Sequence, residues 1–310
     1  MKKYLVALVA AVAFCSAASA VDFNRRAFEC VSNQEVFASV LHRVVRLRKE
    51  PEKSPKARYN PTSFSVGYVY NKDFWHAGLS FNYENGSRKL NYAGDRGYKV
   101  RTSIPGFSLF GGFKTANGAY VNAHSFFGFA TYKSKSGWNT AQSVGSGSKN
   151  HKTLFALGVE AGQVFDTGFC SILATPHIGI DYAYAPSERY HWTNGMQDSI
   201  KSQSYFEIPL GVSLAKSFYS AGWVVTPKID LSLITSLGKM DPYNAHPGFA
   251  FRTAEGWKVS GISAGRVGGR ISAGVDANMG DRIKLGVGYA FEGRSRYQDH
   301  RLTANFAFSF

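Results

Sequence analysis

Apolar and polar residues alternate one for one in several segments of this chain. The last segment shows two phases, one largely apolar and one largely polar: His300, Leu302, Ala304, Phe306, Phe308 and Phe310 against Arg301, Thr303, Asn305, Ala307 and Ser309. Segments 74–84, 206–214 and 282–292 alternate in the same way. Because successive side chains of a β-strand point to opposite faces, this period predicts strands with one apolar face.

Turns of two lengths separate the predicted strands, and short and long turns follow one another in strict order. The short turns lie near 71–73, 115–118, 166–168, 220–222 and 280–281. The long ones lie near 85–101, 134–151, 186–201, 238–265 and 294–299. Asn, Asp, Gly and Ser in the short turns are typical of tight hairpins. Short turns at one rim and long loops at the other are typical of outer-membrane barrels.

The strand count decides between a closed and an open sheet. Eleven strands are clear from about residue 62 onward, and closed bacterial barrels have an even number. The segment 36–48 supplies a twelfth strand, although its basic residues also suit a short helix. We therefore predict an all-β fold over 36–310, a single transmembrane antiparallel β-barrel of twelve strands with both termini in the periplasm. A soluble β-sandwich is the alternative, but these strands are long for a sandwich.

The first twenty residues have the order of a secretory signal peptide. Lys2 and Lys3 precede an apolar run at 4–14, which is too short to cross a bilayer as a helix, and a small-residue cleavage site ends at Ala20. We predict cleavage after Ala20. Residues 21–35 then form a periplasmic or lumenal lead, and as a helix this lead would plug the pore.

Composition supports the barrel and narrows its partners. Of 310 residues, 32 are Gly, and 15% are aromatic while only 18% are charged, as suits strands that are apolar on one face. Loss of Lys2 and Lys3 lowers the formal charge from +15 to +13. Export excludes nucleic acid, so the phosphates of outer-leaflet lipopolysaccharide are the expected anionic partner. The basic loops 85–101 and 133–152 are interpreted as a solvated face, or as contacts to lipid A phosphates or to an acidic host or glycan ligand.

Several motifs in order resemble one known family. They are Tyr297-Gln298-Asp299-His300 before the terminal strand, Ala174–Tyr182 (ATPHIGIDY), Ser202–Tyr205 after a long loop, Thr226-Pro227 at a strand start, and the hairpin 267–281. Together they resemble the translocator β-domain of the autotransporters. The resemblance implies a twelve-stranded barrel with a helical segment in its lumen, which supports secretion of an N-terminal passenger. Only 21–35 precede the first predicted strand, so we expect at most a very short passenger.

Two sets of side chains are candidate functional sites. The terminal strand resembles the signal read by the barrel-assembly machinery, through Leu302, Phe306, Phe308 and Phe310. The inward phase predicts a polar lumen network that lines or fills the pore, or selects ions: His76, Glu160, Asp181, Glu207, Arg270, Lys284 and Glu292.

The mature chain has two cysteines, Cys30 and Cys170, which the predicted topology puts at the same rim. An oxidising compartment permits a disulfide between them, and two free thiols are the alternative. Loop residues such as Ser187 with His191, or Asp241 with His246, do not by their spacing show a nucleophile and base within reach. We therefore predict no enzyme activity, no cofactor and no metal site.

Three functions fit these observations. The first is a structural or surface-exposed protein of the bacterial outer membrane. The second is a porin-like channel for small solutes. The third is an adhesin that acts through the basic loops or the long loop at 238–265.

Overall fold

Twelve long β-strands form the frame of the protein. The computed structural model describes residues 34–47, 56–91, 98–135, 149–191, 197–200, 202–239, 244–246, 257–259, 265–280 and 282–310. The long strands are β1 Gln34–Leu47, β2 Lys56–Lys72, β3 Trp75–Asn91, β4 Tyr98–Lys114, β5 Ala119–Lys135, β6 Lys149–Gln163, β7 Leu173–Ala185, β8 Gln203–Ala215, β9 Trp223–Lys239, β10 Val267–Met279, β11 Ile283–Arg294 and β12 Tyr297–Ser309.

The sheet closes on itself through its first and last strands. Each strand pairs antiparallel with its neighbours in sequence, and β1 pairs with β12, so that Val36 faces Phe308 and Val44 faces His300. The prediction of a closed twelve-stranded barrel is confirmed, and 36–48 supplies a strand rather than a helix. Within the described part of the chain, no helix is long and apolar enough to span a membrane.

Six shorter strands lie in the connections. Phe165–Asp166 and Phe218–Ser220 pair with β7 and β9 beside short turns. The other four make a separate antiparallel sheet from the loops after β7 and β9: Glu188–His191, Gln197–Ile200, Asn244–His246 and Trp257–Val259. Two loops that are far apart in sequence are therefore joined by backbone pairing.

The two rims of the barrel differ as the turn pattern predicts, with one exception. The rim where β1 starts and β12 ends, here called the terminal rim, has tight turns such as Ala221-Gly222, where φ is 48° and 81°. The opposite rim, the loop rim, carries the longer connections. The long loop predicted at 294–299 is wrong, because only residues 295 and 296 separate β11 from β12. Strand alternation continues into this segment, and Glu292 pairs in register with Asp299.

Side chains divide cleanly between two faces. Outward positions are apolar and exposed, for example Leu109 at 63%, Val66 at 55% and Leu210 at 55%, which suits the hydrocarbon of a bilayer. The inward face is less polar than the sequence pattern predicts. The buried ring of Phe126 covers Gly128 on its own strand and Gly106, the partner of Gly128 on β4. Paired glycines leave room inside for an aromatic ring.

Candidate functional site

A dense group of charged side chains lies inside the barrel near the loop rim. We call it the loop-rim cluster, and it comprises Arg43, Glu207, Arg270, Glu292, Arg294, Asp299 and Arg301. These residues come from β1, β8, β10, β11 and β12. Four guanidinium groups therefore face three carboxylates in one connected set.

Glu292 is the centre of the cluster. Its side chain is only 2% exposed. Arg270 and Arg301 each donate a hydrogen bond of 2.8 Å to its Oε2, and Arg294 Nε donates one of 2.8 Å to its Oε1. A buried carboxylate needs partners of this kind, because desolvation of an unpaired charge costs several kcal/mol.

Asp299 closes the seam between the first and last strands. Arg43 on β1 binds this carboxylate through two nitrogens. Its Nε donates to Oδ1 at 3.2 Å, and its Nη2 forms an ion pair with Oδ2. Arg301 Nε donates to the same Oδ2 at 2.7 Å, and Tyr297 donates its hydroxyl at 3.1 Å. The two-pronged contact of Arg43 adds geometric specificity as well as energy. It stabilises the closure of the sheet at the loop rim.

One contact of the cluster joins two strands that are not neighbours in the sheet. Arg294 on β11 forms an ion pair with Glu207 on β8, although β9 and β10 separate the two strands. Ser236 on β9 accepts from Arg294 and donates to Glu207 at 3.3 Å. The cluster therefore ties non-neighbouring walls of the barrel together.

Register explains how so many charges share one surface. Glu292 faces Asp299, and Arg43 faces Arg301, so like charges stand opposite each other on adjacent strands. Directly opposed like charges destabilise a sheet. Here the acidic pair and the basic pair follow each other along β12, at the successive inward positions Asp299 and Arg301. Each carboxylate therefore has a guanidinium group two residues away on its own strand or diagonally opposite on the next. The charges of these two pairs therefore balance each other.

A second inward ion pair fastens the terminal rim. Lys284 on β11 donates to Glu35 on β1 at 2.7 Å, and Ser309 on β12 donates to the same Oε2 at 3.3 Å. Glu35 is 3% exposed. The closing seam is thus held by charged contacts near both of its ends.

The other predicted lumen residues lie elsewhere on the inward face. His124 approaches Asp181 at 3.4 Å, and Tyr120 donates to Glu160 at 3.1 Å. His76 is buried against Gly112 of β4. The structure therefore brings together Glu207, Arg270 and Glu292, and it separates them from Lys284 and from the residues on β3, β6 and β7. The predicted residues all face inward, but their contacts form distinct groups.

A serine, histidine and aspartate also meet inside the barrel. Ser232 Oγ lies 3.4 Å from His177 Nε2, and Asp230 Oδ2 lies 3.5 Å from the same nitrogen. In a catalytic relay the acid orients the other ring nitrogen, which here lies 3.3 Å from the carbonyl oxygen of Thr175. The geometry is that of a polar contact in the wall, not of an activated nucleophile. Of the loop candidates, Ser187 is exposed, Asp241 lies outside the described residues, and the side chains of His191 and His246 lie outside the described set.

The terminal strand points its apolar phase outward. Leu302 is 59% exposed, Phe306 46%, Phe308 38% and Phe310 62%. In the closed barrel β12 is paired on both sides, with β11 and β1. An open edge for strand addition therefore exists only before closure, and recognition by the assembly machinery stays a prediction.

The predicted disulfide has one partner in the described structure. Cys170 is exposed at the terminal rim, in the connection between β6 and β7. Cys30 lies outside the described residues, as do Ala20 with its cleavage site and residues 21–33 of the lead. The disulfide, the cleavage and the lumenal plug stay predictions.

Comparison with known proteins decides the family. A family model described as "Autotransporter beta-domain" matches residues 36–290. The chain belongs to the autotransporter β-domain family. The resemblance drawn from the sequence motifs is thereby confirmed, and no curated protein sequence gives a significant match to this chain.

Solved autotransporter barrels share the fold. The β domain of the Bordetella autotransporter BrkA matches with a TM-score of 0.66 and 16% identity, covering 90% of this chain and 100% of that chain. The translocator domain of NalP from Neisseria meningitidis gives 0.65 and 13%, covering 96% and 98%. The transport unit of AIDA-I from Escherichia coli gives 0.62 and 13%, again covering 96% and 98%. At these identities the likeness establishes the fold of this autotransporter β-domain.

Four residues of the loop-rim cluster were absent from the predicted network: Arg43, Arg294, Asp299 and Arg301. Arg294 and Asp299 fell within the segment predicted as a loop, and Arg43 fell within the segment that also suits a helix. A signal was present, because Arg301 and Asp299 keep the phase of the polar face of β12. Extending the alternation by one step adds Asp299 to the polar face on which Arg301 already lies.

Proposed function

We propose that this autotransporter β-domain serves as a structural, surface-exposed protein of the bacterial outer membrane whose lumen is held closed at the loop rim. The observation that carries the proposal is the ion pair between Arg294 and Glu207, which joins β11 to β8 across two intervening strands. A contact of this span narrows the lumen where a solute would have to pass.

Bulky neighbours of the cluster support closure. Tyr59 is 1% exposed, and Tyr205 and Tyr297 are each 7% exposed, all on the inward face near the loop rim. Tyr59 donates to Glu84 at 2.7 Å, and Arg294 lies over the ring of Tyr297 at 5.7 Å from its centroid. Aromatic rings with hydrogen-bonded hydroxyls fill space firmly, since each has one end anchored.

The placement in the outer membrane is supported by the outer surface and the family. Exposed apolar side chains cover the outward face of the strands, and bacterial barrels of this kind bury such a band in lipid. With the terminal rim in the periplasm, the long loops and their small sheet face the outside of the cell. The surface that other molecules meet is then the loop rim. No step of this proposed role requires an enzyme site.

Single-channel recording tests the closed lumen. The full chain, a variant lacking 21–33, Arg294→Met and Lys284→Met would each be refolded and inserted in planar bilayers. Lys284→Met is the matched control, because it also removes an inward cation from a buried carboxylate but does so at the terminal rim. We expect low conductance from the full chain and the control, and higher conductance from Arg294→Met.

The deletion separates two ways to close the pore. Low conductance after removal of 21–33 assigns closure to the loop-rim cluster, whereas opening on removal assigns it to the lead. Steady conductance in the full chain contradicts the proposal, and the barrel would then be a channel with the cluster as its selectivity site.

A further inference from the structure

Cations stand opposite one another on the outward face of the barrel. Arg46 on β1 pairs in register with Arg58 on β2, and Arg101 on β4 pairs with Lys133 on β5. All four side chains are exposed and lie near the loop rim. We call these four residues the outer basic rows.

The backbone register extends these rows across neighbouring strands. Arg58 pairs in register with Lys89 on β3, and Lys89 pairs with Lys99 on β4. Lys99 in turn pairs with Lys135 on β5. Five adjacent strands thus carry a basic residue at one level, counting from Arg46. At about 4.8 Å between strands, the row is roughly 19 Å long.

No carboxylate of the barrel strands balances these charges. The nine acidic residues of the twelve strands all have described side chains, and every one faces the lumen: Glu35, Glu84, Glu160, Asp181, Glu207, Asp230, Asp276, Glu292 and Asp299. Like charges directly opposite on adjacent strands destabilise a sheet. On the barrel surface itself, the anions that would relieve the outer basic rows are missing from the strands.

Exposed apolar side chains follow the rows towards the terminal rim, after Thr131 on β5 and after Ser103 and Pro105 on β4. Phe129 and Phe127 follow Lys133 towards the terminal rim, and Phe107 and Leu109 follow Arg101, all of them exposed. Phe129 lies four positions along the strand from Lys133, which is about 13 Å. A molecule that covers both parts carries anionic groups at one end and hydrocarbon at the other.

The opposite wall lacks this pattern. At the loop end of β7 to β11, the described outward side chains are uncharged, for example Tyr184, Phe206, Leu237, Ile271 and Phe291. On β12, His300 faces outward and contacts the hydroxyl of Tyr289 at 2.8 Å. Among outward cations with described side chains at the loop end of the strands, all four therefore lie on β1 to β5.

From this arrangement we propose that the outward face of β1 to β5 binds the phosphate groups of a phosphorylated acyl glycolipid, the lipid A part of lipopolysaccharide. Arg46, Arg58, Arg101 and Lys133 hold the phosphates, and the phenylalanines below them contact the acyl chains. Guanidinium groups suit this task because they bind phosphate oxygens in pairs. The inference rests on the proposed placement of the barrel in the outer membrane with its loop rim outward.

Native mass spectrometry of the detergent-solubilised full chain tests the site. Three probes would be titrated: bis-phosphorylated lipid A, the same lipid A without its phosphates, and phosphatidylglycerol. The test variant is Arg101→Gln with Lys133→Gln. The matched control is Lys72→Gln with Arg282→Gln, which removes two exposed cations at the terminal rim. We expect preferential binding of phosphorylated lipid A, weakened roughly tenfold or more in the test variant and unchanged in the control.

Each contrary result overturns a stated part of the proposal. If dephosphorylated lipid A binds as well as phosphorylated lipid A, phosphate has no role in binding. If phosphatidylglycerol binds as well as phosphorylated lipid A, the site is not specific for a glycolipid. Unchanged binding in the test variant, or no bound lipid at all, removes the site. Channel recordings are independent of these outcomes, so failure of the closed-lumen proposal is distinguishable from failure of this one.

A second measurement covers a test variant that does not fold. The unchanged full chain would be melted in micelles containing phosphorylated or dephosphorylated lipid A. A higher melting midpoint with the phosphorylated form is expected, because phosphate relieves the opposed cations. Identical midpoints would sink the proposal. Arg101→Lys with Lys133→Arg keeps both charges and should keep binding.

Discussion

The lumen wall at β10 to β12 and β1, and the outward wall at β1 to β5, both place like charges opposite each other. Inside, Arg43 faces Arg301 and Glu292 faces Asp299. Outside, Arg46 faces Arg58 and Arg101 faces Lys133. The inner set alternates in sign from level to level, whereas the outer set is of one sign. The same unfavourable pairing is thus compensated within the chain on one face only.

The difference follows from what each face can contact. An inward side chain can be neutralised only by another part of the wall or by water, and burial makes an unpaired charge costly. An outward side chain near a membrane surface meets lipid headgroups, which bring their own charges. On the inward face, the repulsion between like charges is therefore offset by ion pairs that form when the chain folds. On the outward face, we propose that the repulsion is offset when a lipid with phosphate groups binds.

Removal of the carboxylate at the seam is the strongest way to break the inner arrangement. Asp299→Ala leaves Arg43 and Arg301 opposite each other without their shared acceptor. We expect a loss of about 3–5 kcal/mol in the free energy of unfolding, as for one partner of a buried pair. Urea unfolding of the refolded barrel, followed by gel mobility, measures it. Asp73→Asn in an exposed turn is the control, and a loss no larger than the control's would contradict the inner compensation.

The pair at the terminal rim should matter less. Lys284→Met removes the ammonium group that donates to Glu35, a carboxylate that is 3% exposed and also accepts a hydrogen bond from the hydroxyl of Ser309. The expected cost is about 1.5–3 kcal/mol, the range for a hydrogen bond to a charged group. The same urea titration measures this cost. If Lys284→Met lowered the free energy of unfolding as much as Asp299→Ala does, the contacts at the loop rim would not contribute more to closure of the barrel than those at the terminal rim.

The inward face of β4 and β5 relies on packing instead of charge. In Gly128→Ala the added methyl group would meet the ring of Phe126. We expect a cost of about 1–3 kcal/mol from overpacking. The cost should shrink when Phe126 is replaced by Leu, because the two side chains compete for one space. A double-mutant cycle measures this coupling, and additive effects would show that the ring does not depend on the glycine.

The smallest effect is expected at the outer basic rows in neutral detergent. Arg46→Gln removes one of two opposed cations, and we expect a change within about 0.5 kcal/mol, as for most surface substitutions. The sign should be stabilising, since Arg58 loses a like-charged neighbour. Urea unfolding in a non-ionic detergent measures it. A destabilisation comparable to that of Lys284→Met would mean that the row has partners within the chain.

Much of the barrel was predictable from local pattern. The alternation of apolar and polar residues predicted which side chains of β3, β8, β11 and β12 face outward. The alternation of short and long turns predicted which connections lie at each rim. Each of these features needs only neighbours in sequence. The loop predicted at 294–299 was wrong because Ser and Asp in this segment are typical of turns, although the alternation of β12 continues to Tyr297, and Tyr297 and Asp299 pair with β1 and β11.

The sequence by itself determined the strand phases, the outward apolar band and the family, because a strand's faces and a family's motifs are properties of short segments. Only the tertiary structure decided which inward charges meet. Arg43 and Asp299 are far apart in the chain, and they pair because closure of the sheet sets the register of β1 on β12. Arg294 reaches Glu207 only because the curvature of the sheet brings inward side chains that are three strands apart within reach of each other. Ionic partners across a lumen depend on curvature and register, which no local pattern records.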